Sequence, residues 1–304
     1  MSMDLLIEKI IEKKNPTVVG LDPNLDQMPP ALIEKHVAQH GATLTAAAEA
    51  IYEFNTGLID AVCELVPAVK PQSAYYEMYG PAGVAALART MEYARAKGLY
   101  VIADCKRNDI GSTAAAYARA YLGEVTIGGA AHAPFAADSI TVNGYLGSDG
   151  LRPFVDACRS AKKSMFVLVK TSNPSSCELQ DLVVNGKTIY RTMAESAAAL
   201  GQDTVGQHGY SAVGFVVGAT HPQELCELRA AFPQSFFLVP GYGAQGATAR
   251  DIRGAFDANG LGAIINSSRG IIYAWKSAGD PTGANFREAA HDAAQRMKQD
   301  LAIF

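Results

Sequence analysis

Absences narrow this sequence first. No run of about 18 apolar residues occurs in its 304 residues, so no membrane-crossing helix is expected. Lysine and arginine form no basic stripe, and 26 of them face 30 acidic residues for a net charge of −4. A nucleic-acid partner is therefore not expected, and an anionic ligand has to be held by local groups. The five cysteines, at 63, 105, 158, 177 and 226, are odd in number and lack metal-ligand spacing. The start, Met1-Ser2-Met3-Asp4-Leu5, has no positive region followed by an apolar core. Together these favour reduced thiols and a cytoplasmic location. The patterns GxxxxGK[ST], HExxH, GxSxG and CxxC are all absent, which removes the commonest phosphate-loop, zinc-protease, serine-hydrolase and dithiol readings. Six scattered histidines point to proton chemistry without histidine.

Apolar residues make up 49% of the chain and charged residues 18%, which fits a globular protein and not a disordered one. Short, nearly continuous apolar runs recur at 17–22, 68–73, 100–106, 139–144, 164–171, 213–219, 236–241 and 263–268. Such runs suit parallel strands covered by helices, because both faces are buried. Helical patterns fill the gaps, at 46–65, 82–97, 112–122, 150–160, 187–200, 222–231 and 247–256, with a last one from 285 to about 302. Eight alternations predict an α/β fold of the (β/α)8 TIM-barrel class rather than an open sheet. No linker divides the chain, so one domain over 1–304 is expected, with enlarged loops at about 23–45 and 172–186 and a third long loop around 127–138.

The most informative stretch is Asp104-Cys105-Lys106-Arg107-Asn108-Asp109, which ends the third apolar run. In an extended strand residues two apart share a face about 6–7 Å from each other, so Asp104 and Lys106 are expected side by side. Asp109 adds a carboxylate within a turn. The plain alternatives are an N-cap for Asp109 and a surface ion pair for the other two. The neighbouring runs end in Asp22 and near Lys70, giving four charges at adjacent strand exits, where barrels of this class carry their sites. An alternating row of acids and lysines keeps both lysines protonated. A cationic Lys106 then serves as a proton donor, while Asp104 repels a substrate carboxylate and favours its departure as CO₂.

The seventh run leads into Gly241-Tyr242-Gly243-Ala244-Gln245-Gly246, a GxGxxG pattern. A dinucleotide reading requires an acid about 20 residues on, and the next strand ends instead in Asn266-Ser267-Ser268. The better reading is one phosphate held by backbone N–H groups and a helix start. Arg269, in Ser268-Arg269-Gly270, supplies a guanidinium with two donors from the neighbouring strand end.

Taken together, Gly20-Leu21-Asp22-Pro23, Asp104-x-Lys106-Arg107-x-Asp109-Ile110-Gly111-Ser112-Thr113 and Ser268-Arg269-Gly270 resemble the orotidine 5′-phosphate decarboxylase family, in its longer bacterial branch. The resemblance implies conversion of orotidine 5′-phosphate to UMP and CO₂ in de novo pyrimidine biosynthesis, with no metal or organic cofactor. It implies that Lys106 protonates C6 of the pyrimidine and that Asp104 lies against the departing carboxylate. Asp22 matches the ribose-contacting acid and Lys70 the lysine of the charge network. Asp109 and Thr113 match residues that reach into a neighbouring subunit's site, which implies a homodimer. Ser172 matches a pyrimidine-contacting serine, Gln245 and Arg269 match phosphate contacts, and Pro240 lines the lid. Two alternatives stay open. One is a metal-dependent sugar-phosphate decarboxylase or synthase of the same superfamily, although Lys70 is a poor metal neighbour. The other is a non-catalytic sensor of a phosphoribosyl ligand.

Overall fold

The continuous apolar runs form eight parallel strands. The computed structural model describes residues 2–243 and 246–302. Its strands are β1 (Thr17–Leu21), β2 (Ala68–Pro71), β3 (Tyr100–Arg107), β4 (Ser139–Val142), β5 (Ser164–Lys170), β6 (Val213–Val217), β7 (Phe237–Val239) and β8 (Ala263–Ser267). They pair in the cyclic order β1-β8-β7-β6-β5-β4-β3-β2, a closed barrel. Each expected strand is present, with ends within two residues of the sequence reading. No helix among the described residues is long and apolar enough to cross a membrane.

Two compact units make up the chain. The smaller comprises Ile10–Cys105 and Ser267–Ala302. Within it β1 pairs with β2, aligning Gly20 with Lys70, and β2 pairs with β3, aligning Val69 with Val101. Helix Leu44–Val62 starts at Thr43, whose hydroxyl accepts the Ala46 N–H at 3.2 Å. It buries Ile51, Phe54 and Leu58, and Phe54 packs on Phe286 of helix Phe286–Asp300 at a ring separation of 5.2 Å. Burial of one such ring is worth roughly 1.5–3 kcal/mol, which makes this helix pair a main support of the unit.

The larger unit holds Lys106–Asn266 and the first residues up to Lys9. Here β4 to β8 pair in sequence, with a register shift between Val216 and Val217 where β6 meets β5. Arg229, on helix Pro222–Ala231, is almost fully buried. Its guanidinium donates to the carbonyls of Ala255, Phe232, Pro233, Ser235 and Gly262 at 2.7–3.3 Å. It also lies 3.9 Å from the Phe237 ring centroid. Burial lowers its pKa to about 10, still well above neutrality.

Several connections differ from expectation. Residues 23–45 are not an open loop, because they contain helix Pro30–His40, whose Pro29 and Pro30 suit a helix start. The 172–186 insertion carries two short helical turns and a hairpin, Val183–Val184 with Lys187–Thr188. The third long loop is a hairpin, Val125–Ile127 with Ala130–His132. The helix expected over 247–256 is not formed, and only a 3₁₀ turn, Arg253–Ala255, occurs there. Helix Ser2–Lys13 was not expected from the sequence.

Candidate active site

In the smaller unit two of the charges at the strand ends, Lys70 and Asp104, are joined by a hydrogen bond. Lys70, on β2, is 4% exposed and donates from Nζ to Asp104 Oδ2 at 2.5 Å; Asp104 is 6% exposed. Burial works against the Lys70 ammonium, but the charges of Asp104 and Asp22 and the hydrogen bond to Asp104 outweigh it. The net effect raises its pKa, so Lys70 is a cation. Gln72 Nε2 donates to the same Asp104 oxygen at 3.2 Å, and the Ser73 N–H donates to the Asp104 carbonyl at 3.2 Å. Desolvating each ion costs several kcal/mol, so a buried pair of this kind adds little net stability. Its presence at a strand exit therefore calls for a chemical reason, and the surface-ion-pair alternative does not apply to Asp104.

Asp22 follows β1 and is half-buried. Its Oδ1 is buried without a hydrogen-bond partner among the described residues. The backbone around it is clamped, because Tyr273 Oη donates to the Asp22 carbonyl at 2.8 Å and accepts the Asn24 N–H at 2.7 Å. Burial pushes the Tyr273 phenol well above its ordinary pKa and keeps this donor protonated. An orphaned buried carboxylate oxygen on a fixed backbone suits a ligand hydroxyl. Arg269, the first residue of the short helix Arg269–Ile272, is exposed and has no ion-pair partner among the described residues.

In the larger unit Lys106 is exposed and has φ of +46°, the left-handed region that lysine rarely adopts. Regular strand alternation therefore stops at Lys106, and the extended spacing used to set it beside Asp104 does not hold there. Its N–H donates to Thr141 Oγ1 on β4 at 2.9 Å. Asp109 Oδ1 accepts the Ile110 N–H at 2.8 Å, and Ile110, not Asp109, caps helix Gly111–Leu122. Thr113 is exposed in the first turn of that helix.

Ser172 follows β5 in a tightly tied segment. Fully buried Lys170 pairs with Asp181 at 2.5 Å, and Thr171 exchanges two hydrogen bonds with Gln180. Gly218, at the end of β6, has room for no side chain, since a Cβ there would lie 2.8 Å from Ser172 Cα. Pro240 follows β7, and its carbonyl accepts the Ala219 N–H at 2.8 Å. Gln245 lies outside the described residues. Around it Gly243 and Gly246 have positive φ, and Gly243 N–H meets the Ala247 carbonyl at 2.9 Å. Without an α-helix at 247–256, the helix-start half of the phosphate reading fails after β7, and backbone N–H groups and Arg269 are what is left of it.

The sequence reading missed Gln72, Thr141 and Tyr273. Gln72 was within reach, since it stands two residues beyond Lys70. Thr141 is a polar residue in an otherwise apolar run, a weak signal. Tyr273 gives none, because its role depends on a fold that returns it to residue 22.

Known proteins resemble this chain along nearly its whole length. The family model described as orotidine 5′-phosphate decarboxylase / HUMPS family matches residues 33–281. Among curated proteins, the chain is 47% identical over 295 residues to orotidine 5′-phosphate decarboxylase of Rhodopirellula baltica, covering 96% of each. The corresponding protein of Caldicellulosiruptor bescii is 41% identical, over 98% of this chain and 97% of its own. Among solved structures, the OMP decarboxylase of Leishmania donovani superposes with a TM-score of 0.72 at 34% identity, over 99% of this chain and 98% of that one. The chain belongs to the orotidine 5′-phosphate decarboxylase / HUMPS family.

Proposed function

We propose that this chain is a carboxy-lyase that converts orotidine 5′-phosphate to UMP and CO₂ in pyrimidine biosynthesis, by direct decarboxylation without a cofactor. The observation that carries the reading is the buried Lys70–Asp104 pair, whose Asp104 lies on the strand that runs on to Lys106, in a chain 47% identical to a decarboxylase along almost its whole length. The carboxylate of Asp104, which accepts from Lys70 and Gln72, raises the energy of a substrate carboxylate placed against it. The bond from C6 to that carboxylate breaks, its electron pair stays on C6, and CO₂ leaves. Lys106 Nζ then gives a proton to C6. Asp22 takes a ribose hydroxyl on the oxygen that has no partner among the described residues, which its clamped backbone supports.

Arg269, exposed and without an ion-pair partner among the described residues, holds the phosphate together with Gln245, and Pro240 lines the lid over it. Ser172 contacts the pyrimidine from its tied segment. Asp109 and Thr113 serve a partner subunit's site across a two-fold axis. Exposed Thr113 and the 55% exposed Ile110 side chain beside Asp109 support a face that meets a partner. The test is loss of orotidine 5′-phosphate absorbance with purified protein in chelated buffer. Turnover is expected. Tight UMP binding with no turnover would leave a ligand sensor, and activity restored only by Mg²⁺ would favour the metal-dependent branch.

A further inference from the structure

We infer that Thr141 is a positioning residue for Lys106, setting the direction of its ammonium through the backbone. This rests on the reading of Lys106 as proton donor. Left-handed backbone costs a residue with a Cβ about 1–2 kcal/mol, so φ of +46° at Lys106 has to be held by its surroundings. Strand β4 and the residue after it supply two ties. Thr141 Oγ1 accepts the Lys106 N–H at 2.9 Å, and the Asn143 N–H donates to the Arg107 carbonyl at 3.1 Å. The first tie is unusual for neighbouring parallel strands, where a backbone carbonyl ordinarily takes such an N–H. Here a side-chain hydroxyl on the neighbouring strand accepts it.

Thr141 is suited to this. It is 1% exposed, and its backbone is fixed in register with Phe166 of β5. Its β-branched side chain has few χ1 choices, so the oxygen direction is set once the strand forms. Valine has the same shape without the acceptor. With valine at 141 the Lys106 N–H loses this partner, and the residue can relax towards the extended region. That relaxation swings the Cα–Cβ bond and carries Nζ, at the end of a four-carbon stem, away from the carbon it protonates. A misplacement near 1 Å can cost about 100-fold in rate, whereas ligand binding through ribose and phosphate is untouched.

The test compares Thr141→Val, Thr141→Ser and Lys106→Ala in steady-state decarboxylation, with UMP affinity and thermal midpoint measured alongside. For Thr141→Val kcat should fall by about 10- to 100-fold while KM and the UMP Kd stay within about twofold. Thr141→Ser, which keeps the hydroxyl, should retain kcat within about threefold. Should the valine protein not fold, Thr141→Ala takes its place against serine and the same split is read. Equal kcat for valine and wild type, with Lys106→Ala inactive, overturns the inference and leaves the reading of Lys106 intact. A serine protein as impaired as valine, or KM rising with the fall in kcat, also overturns it by making Thr141 a packing or ligand residue. An active Lys106→Ala protein sinks the proton-donor reading itself, whatever the Thr141 variants do.

Discussion

Residue by residue, the charged groups of this chain divide by what burial does to them. Lys106 is exposed, whereas Lys70 is buried and stays charged because Asp104 and Asp22 more than offset its desolvation. Lys106→Ala should therefore suppress turnover by several orders of magnitude and leave UMP affinity within about tenfold, because proton donation matters along the reaction and not in the ground state. Near-normal kcat in that variant would contradict the assignment. Arg269→Ala should lower kcat/KM for the nucleotide by about 100-fold or more and change it little for the dephosphorylated nucleoside, since remote phosphate binding energy orients the ring. Equal losses for both substrates would remove Arg269 from the phosphate site.

Lys70 also makes a stability prediction. Its pKa is raised in the folded state, so its contribution is complete below the unfolded value near 10.4 and is lost as pH climbs through the folded value. In that window the folded chain keeps a proton that the unfolded chain has released, and stability falls by up to about 1.4 kcal/mol per pH unit. Urea unfolding of wild type and Lys70→Met from pH 9 to 11.5 isolates this group from the other bases and phenols. The wild-type curve should drop more steeply with pH, and parallel curves would show that Lys70 is not held as a cation.

At the scale of elements, the strands were legible because parallel strands buried on both faces leave unbroken apolar runs, and 100–106 or 164–171 resemble nothing else. The charges at strands 1 to 3 were legible for the same reason, as breaks at the ends of such runs. Residues 247–256 show where local pattern gives out. Thr248 and Asp251 do form a helix-start contact, with Asp251 Oδ2 accepting both the Thr248 N–H and hydroxyl. The helix is not continued. Gly254 lies so close to Cys226 that a Cβ there would meet Sγ, and Arg229 draws the Ala255 carbonyl to its own Nε. Tertiary packing overrides propensity here, and no local pattern records it. The left-handed turn at Lys106 was hidden likewise, because the hydroxyl that holds it is 35 residues away.

Arg229 joins helix Pro222–Ala231 to the entries of β7 and β8 through the carbonyls of Ser235 and Gly262. Arg229→Met keeps most of the apolar volume and removes five hydrogen bonds. It should cost on the order of 3 kcal/mol or more by urea denaturation, because buried acceptors lose a charged donor. Arg229→Lys should recover only part of this, since one ammonium cannot span the spread of a guanidinium. A loss below about 0.5 kcal/mol for the methionine variant would show that those carbonyls find water or other donors instead.

For the whole molecule, the proposed two-fold dimer with shared sites can be tested by mixing defects. Asp109 precedes helix Gly111–Leu122 and Thr113 lies in its first turn, where it is exposed. If each site takes Lys106 from one chain and Asp109 from its two-fold partner, Lys106→Ala and Asp109→Ala homodimers should each be nearly inactive. A mixed dimer then gathers both lesions in one site and leaves the other complete. Equal co-expression with random pairing makes about half of the dimers mixed, each with one good site in two, so activity should return to roughly a quarter of wild type. Two differently tagged chains and tandem purification of the mixed species raise the expected value to about half. Absence of recovery in dimers shown to carry both tags would assign Asp109 to its own chain's site, and the exposed face beside Thr113 would then require another explanation.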